Sequence, residues 1–285
     1  MSLKSGDEKK HAQMRNRVFK HMLKTRGWKY RAFLRYLRFF KYAAFSPTRG
    51  KFLESYYVLM RFLDDIVDGD APLPEGYLNE VDYIFEKIKF SKSMINPIDE
   101  VDYLILYCFE LAEKFGENFQ AETEDILNSL LFDAKRRGKM IIFPKKELMH
   151  HFHLLDIRGT IRATLKVFKD DPDKYKLLEP LGVACRYQYD IEDIEADLAA
   201  GYVNISKEDC KQFDILNEDL NDPSSLKIRN WICQRAKDGL ELLKEHHQKL
   251  HEGDFSLLEK WTFLLVYEFP AKKVFKKIIS ETKKS

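Results

Sequence analysis

Tyr56-Tyr57-Val58-Leu59-Met60-Arg61-Phe62-Leu63-Asp64-Asp65-Ile66-Val67-Asp68 is apolar over most of a helical circumference, the mark of a central helix covered by others. Helical spacing puts Asp64 and Asp68 one turn apart on a single face, with Arg61 one turn earlier. Carboxylates so close on an apolar helix repel one another, and burying them is costly unless a cation or several donors compensate. A divalent metal supplies that compensation, and a purely structural helix rarely places three aspartates in such a run.

The rest of the chain carries the same periodicity. Leu104, Cys108, Leu111 and Phe115 recur at helical spacing, as do Ile228, Ile232, Ala236, Leu240 and Leu243, and no segment sustains strand alternation. Breaks fall at Ser46-Pro47, from Gly69 to Pro74, at Asn96-Pro97, near Gly116, from Gly138 to Pro144, at Asp170-Asp171-Pro172, near Gly201 and at Asn221-Asp222-Pro223. Connections are short and no linker composition appears. The expectation is an all-α chain, a flexible segment over 1–14 followed by one helical domain over 15–285.

A second acidic string, Tyr189-Asp190-Ile191-Glu192-Asp193-Ile194-Glu195-Ala196-Asp197, repeats the four-residue spacing in Asp193 and Asp197, with Ile191, Ile194 and Leu198 on the apolar side. Taken alone, such a string is most often a solvated face. Two aspartate pairs confronting each other across a bundle would suit Mg²⁺, which favours a few carboxylates together with phosphate oxygens and water.

Net charge is +2, from 48 basic and 46 acidic side chains, so no global field points to nucleic acid. Cys108, Cys185, Cys210 and Cys233 are scattered and read as reduced core cysteines of a cytoplasmic protein. The first fifteen residues are too polar for a signal peptide core. The stretch from Trp261 to Phe269 is too short to span a bilayer. Between Arg15 and Lys41, basic residues interleave with aromatics. That pattern fits an amphipathic surface helix, or a peripheral contact with anionic membrane lipid. His150, His151 and His153 lack a second ligand pair at a metal-binding spacing and read as ordinary histidines. The basic stretch from Lys272 to Lys284 reads as a frayed, solubilising helix.

The first string resembles that of the squalene and phytoene synthase family, Tyr-x-x-x-Arg-x-x-Asp-Asp-x-x-Asp, position by position at Tyr57, Arg61, Asp64, Asp65 and Asp68. Upstream, Ser46-Pro47-Thr48-Arg49 resembles the family's Pro-x-x-Arg turn. Leu130-Leu131-Phe132-Asp133 and Arg158-Gly159-Thr160-Ile161 stand where the family has Met-x-x-Asp and Ala-Gly-Thr-Val. The string ending at Asp197 and the run Gly201-Tyr202-Val203-Asn204-Ile205-Ser206 resemble its second motif, so the likeness runs in order over roughly residues 35–215. The resemblance implies a single-domain all-α isoprenoid synthase fold, with Asp64, Asp68, Asp193 and Asp197 binding Mg²⁺ and prenyl diphosphate. Arg61 and Arg49 would then contact the leaving group, and Tyr57 and Phe132 would face an allylic cation.

The departures cluster in the second motif. Tyr189 stands for the family's Asn, Glu192 for its Arg, Arg186 for its Gln and Ala196 for its Glu. Arg158 and Arg162 replace small residues that line the family's prenyl tunnel, where a cation shortens an apolar channel or adds an anion contact. These changes leave three readings open: head-to-head condensation of two farnesyl or geranylgeranyl diphosphates, a cyclase on the same fold, or a non-catalytic binding or assembly protein. No glycine-rich nucleotide motif supports a reductive step.

Overall fold

The computed structural model describes residues 5–25, 37 and 46–282. Among them every regular element is helical, as the periodicity predicts. In chain order these are α1 (Ser5–Thr25), α2 (Pro47–Asp68), α3 (Glu80–Ser93), α4 (Glu100–Glu113), α5 (Gln120–Arg136) and α6 (Lys145–Phe152). A π-helical segment, His153–Ile161, carries α6 into α7 (Arg162–Phe168). There follow α8 (Tyr175–Glu192), α9 (Ile194–Ala199), α10 (Lys207–Gln212), α11 (Leu226–Glu252) and α12 (Leu257–Thr262). A second π-helical segment, Phe263–Glu268, leads into α13 (Phe269–Thr282).

The breaks read from the sequence terminate helices by recognisable means. Ser46 caps α2, its side chain accepting from the Arg49 amide with Pro47 in the first turn, and Gly69 ends that helix at φ 76°. Asp99 and Asp102 form a capping box at α4.

Internal contacts divide the domain expected over 15–285 into two compact units, residues 1–135 with 166–169, and residues 136–165 with 170–285. In the first, α2 packs on α4 and α1, and Phe52, Tyr56, Phe115 and Phe119 interlock with Phe52 and Phe119 centroids 4.1 Å apart. The boundary expected after residue 14 falls inside α1. His11 is buried with Nδ1 2.7 Å from Glu110 Oε1, and Arg15 is buried 2.5 Å from Glu54 Oε2. The helix runs from Ser5 to Thr25. Of the basic stretch Arg15 to Lys41, residues 26–36 and 38–41 lie outside the described residues.

In the second unit, α8 packs between α11 and the first π-helical segment. Gly182 permits the closest approach, since a Cβ there would stand 2.5 Å from Ile157 Cγ1. Leu178, Leu181, Ala184, Ile191, Ala236, Leu243, Phe263 and Phe275 form its core. Phe275 lies on Gly239, so α13 is anchored and helical through Thr282 rather than frayed from Lys272. Cys108, Cys185 and Cys233 are buried and all four cysteines are free thiols, as expected.

Candidate functional site

Each acidic motif lies in its own unit. On α2 the residues Tyr57, Arg61, Asp64 and Asp68 are all half-buried, whereas Tyr56, Val58, Leu59, Leu63, Asp65, Ile66 and Val67 are buried. Their spacing of four, three and four residues keeps them on one side of the helix. Arg61 forms an ion pair with Asp64 through Nη1, and its Nε stands 3.5 Å from Asp65 Oδ1. One guanidinium thus holds two carboxylates of the motif from the same helix. Arg49, two turns from Tyr57, donates through Nη1 to the Val167 carbonyl at 2.9 Å. Phe132 on α5 is half-buried.

The second motif departs from the uninterrupted helix its spacing predicts. α8 ends at Glu192, Asp193 takes φ −107° and ψ 5°, and α9 begins at Ile194. The Asp197 amide still donates to the Asp193 carbonyl at 2.8 Å, so the turn survives as an elbow. Aspartate suits such a junction because its side chain competes with helical backbone bonding. Asp193 is exposed, Asp197 is half-buried, and Asp190 is fully buried. Asp190 and Asp197 line a cavity of about 10 Å³, the room of one water, together with Ile194, Tyr202, Asn204 and Trp231.

Charge in this cavity is unbalanced. Asn204 Nδ2 donates to Asp197 Oδ2 at 2.8 Å, yet burial, then the charges of Asp190 and Asp193, raise the Asp197 pKa to about 7 against the pull of Arg186 and Arg136. Burial also raises Asp190, whose Oδ2 receives Arg235 Nη2 at 3.3 Å while Oδ1 and Asn204 Oδ1 accept no hydrogen bond. Asp190, Asn204 and Arg235 were not singled out from the sequence. Asp190 had a signal, lying three and seven residues before the aspartates named. Arg235 had none, since its partners Asp190 and Asp209 meet it only through the fold.

The other candidates in this unit are placed individually. Arg186 grips Asp156 through Nε and Nη2 at 2.9 and 3.4 Å and lies over the rings of Phe152 and Tyr189. Tyr189 is exposed. Arg158 belongs to the π-helical segment and Arg162 is the first residue after it; both are half-buried. Thr160 Oγ1 donates to the Leu155 carbonyl five residues back, in keeping with the wider turn. His151 is buried, and His153 Nδ1 stands 3.6 Å from Glu179 Oε1.

Among the described residues no group of three or more His, Cys, Asp or Glu side chains is arranged to hold a metal. Each aspartate pair therefore offers two carboxylates at most, a donor set that magnesium completes with water and phosphate oxygen. Asp190 Oδ1 accepts no hydrogen bond, although Arg186 Nη1 stands 4.0 Å away, and it shares its cavity with Asp197, so this buried carboxylate pair has room for a further donor or a cation.

No protein-family model and no curated protein matches the sequence. Among solved structures, the fold is similar to that of a dehydrosqualene synthase crystallised with a ligand. The TM-score is 0.66 at 14% identity, over 98% of this chain and 100% of that one. It is similar also to squalene synthase HpnC from Alicyclobacillus acidocaldarius, with TM-score 0.63 at 14% identity over 97% and 94% of the two chains. The chain has the all-α fold of these isoprenoid synthases.

Proposed function

We propose that this chain is a magnesium-dependent prenyltransferase that ionises an allylic prenyl diphosphate and joins two farnesyl or geranylgeranyl chains head to head. The observation that carries the reading is the row of Tyr57, Arg61, Asp64 and Asp68 on one half-buried side of α2, in a chain with an isoprenoid synthase fold. Asp64 and Asp68 in one unit, and Asp193 and Asp197 in the other, are the proposed ligands of magnesium. Bound magnesium supplies electrostatic stabilisation of the leaving diphosphate.

The remaining steps fall to the chain's own side chains. Arg61 orients Asp64 and Asp65 and adds charge-assisted hydrogen bonds to the leaving group, with Arg49 in the same role. Tyr57 and Phe132 offer π-faces to the allylic cation, and apolar surroundings exclude the water that would quench it. Arg158, Arg162, Arg186 and Tyr189 are the proposed contacts that set chain length and acceptor.

Purified protein with Mg²⁺ and farnesyl or geranylgeranyl diphosphate tests the reading. Diphosphate release and a hydrocarbon product identified by mass are expected, both abolished in Asp64→Asn and in Asp68→Asn; unchanged turnover in both variants refutes it.

One observation favours a second reading, a non-catalytic relative. Glu192 stands where the resembled motif has Arg, and it accepts from Gln188 Nε2 at 2.7 Å, so this turn presents a carboxylate in place of a cation. Calorimetry with Mg²⁺ and a prenyl thiodiphosphate separates the two, because a drifted scaffold gives no metal-dependent heat.

A further inference from the structure

Leu257, Trp261, Leu265 and Phe269 are 72, 55, 55 and 62% exposed, and they recur at an unbroken spacing of four residues. Among the described residues the other close group of exposed apolar side chains, Met94, Ile95 and Ile98, lies in the connection between α3 and α4 and forms no helical row, whereas Leu78, Phe85 and Leu216 stand apart. An α-helix advances about 100° per residue, so a four-residue repeat drifts by about 40° at each step and would wind off its face. Here the drift is countered. Residues Phe263–Glu268 are π-helical, and the wider turn of a π-helix takes back rotation that the α-helical segments on either side add. The row therefore stays on one side of the rod from α12 to α13.

The opposite side of the rod is committed to the fold. Glu259, Thr262, Phe263, Glu268, Ala271 and Phe275 are buried, with Phe275 seated on Gly239. Beyond Phe269 the rod is α-helical, and at about 100° per residue Lys276 lies about 20° from Phe269 on one side, with Lys273 about 40° and Lys277 about 80° on the other, all three exposed. Glu281 stands 3.9 Å from Lys277 and Glu268 stands 3.4 Å from Lys272, so this end keeps Lys273 and Lys276 as further cations. Four large apolar residues, one of them a tryptophan, thus run directly into a cationic end on one solvent face.

We infer that this row docks the protein on an anionic lipid bilayer, with Leu257, Trp261, Leu265 and Phe269 entering the headgroup boundary and Lys273, Lys276 and Lys277 on lipid phosphates. An apolar protein groove would accept the first four but has no reason to meet the lysines. A bilayer surface offers both layers at once, and tryptophan favours that boundary. Among the described residues no helix is long and apolar enough to cross a membrane, so the contact is peripheral for this part of the chain.

Sedimentation of the full chain with vesicles of phosphatidylcholine, with and without phosphatidylglycerol, tests the inference. Binding to the mixed vesicles is expected, weakening as salt rises. Leu265→Ser with Phe269→Ser should cut it by at least about tenfold, the scale set by withdrawing two apolar side chains from lipid. Lys273→Glu with Lys277→Glu should cut it at low salt and flatten the salt dependence, at about fivefold per lysine. These side chains are exposed, so circular dichroism and the thermal midpoint should be those of the parent. Absence of vesicle binding by the parent, or binding unaltered in both variants, overturns the inference. So does self-association in light scattering that the same substitutions abolish when vesicle binding is absent, since that would mark the row as a face between copies of the chain.

Discussion

The turn of α2 that carries Asp64 and Asp68 and the elbow that carries Asp193 and Asp197 begin from the same spacing and arrive at different electrostatics. On α2 the helix is unbroken, the pair is half-buried, and Arg61 on the same side of the helix holds Asp64 and Asp65. At the elbow the helix breaks at Asp193, a third carboxylate, Asp190, is fully buried, and one of the cations that offset it, Arg235, comes from α11. In the first case a cation of the same helix holds two of the carboxylates; in the second, an offsetting cation is brought in by a different helix. A repeated sequence pattern fixes where carboxylates lie on a helix, but not how much uncompensated charge they carry.

The largest expected effect is on activity. Asp64→Asn or Asp68→Asn should lower diphosphate release by at least about a hundredfold, the scale of a lost electrostatic stabiliser at a leaving group. Their thermal midpoints should stay near that of the parent, because partly exposed ion pairs contribute about 1 kcal/mol or less. A variant that loses activity and stability together would show that the α2 charges are structural after all.

Asp197→Asn should behave in the opposite sense. Its carboxyl pKa stands at about 7 in the fold against an ordinary 3.8, so the folded chain holds a proton that the unfolded chain releases. The stability this group contributes is complete below the ordinary value and is lost as pH rises through about 7. An amide is neutral throughout. With metal chelated, Asp197→Asn should therefore melt higher than the parent at pH 8 and about level with it near pH 4, by at most roughly 4 kcal/mol at about 1.4 kcal/mol per unit. Equal offsets at both pH values would mean that the cavity is not charge-strained.

How much of this the sequence discloses follows from the same contrast. Helices, their breaks and the side of α2 that carries Tyr57, Arg61, Asp64 and Asp68 depend on neighbours within a few residues, and periodicity with capping chemistry reveals them. The elbow at Asp193 and the burial of Asp190 and Arg235 arise where α8 and α11 pack, so no local pattern marks them. The two π-helical segments are equally silent, because the apolar residues of a widened turn still read as helical.

Gly182→Ala tests that dependence on packing directly. The new methyl would meet Ile157 Cγ1 at 2.5 Å, and overpacking of this kind costs about 1–3 kcal/mol. It should also move α8 against the π-helical segment and loosen the Arg186–Asp156 grip, so activity should fall along with the thermal midpoint. Stability lost without any change in turnover would uncouple the elbow from the packing beneath it.

The smallest effect is the most discriminating. Asn204 Nδ2 donates to Asp197 Oδ2, a bond that serves the ionised carboxylate better than the neutral acid. Asn204→Ala should cost about 1 kcal/mol at pH 5, where the acid is protonated, and about 1.5–3 kcal/mol at pH 8, where it is charged. Its penalty thus grows with pH while the advantage of Asp197→Asn also grows, the two variants moving the midpoint in opposite directions from one cause. In the double variant the share of the pH dependence that Asp197 carries should vanish, since that carboxyl is gone; a double variant whose midpoint still falls between pH 5 and 8 as steeply as the parent's would move the strain from Asp197 to another buried acid, with Asp190 the first to examine.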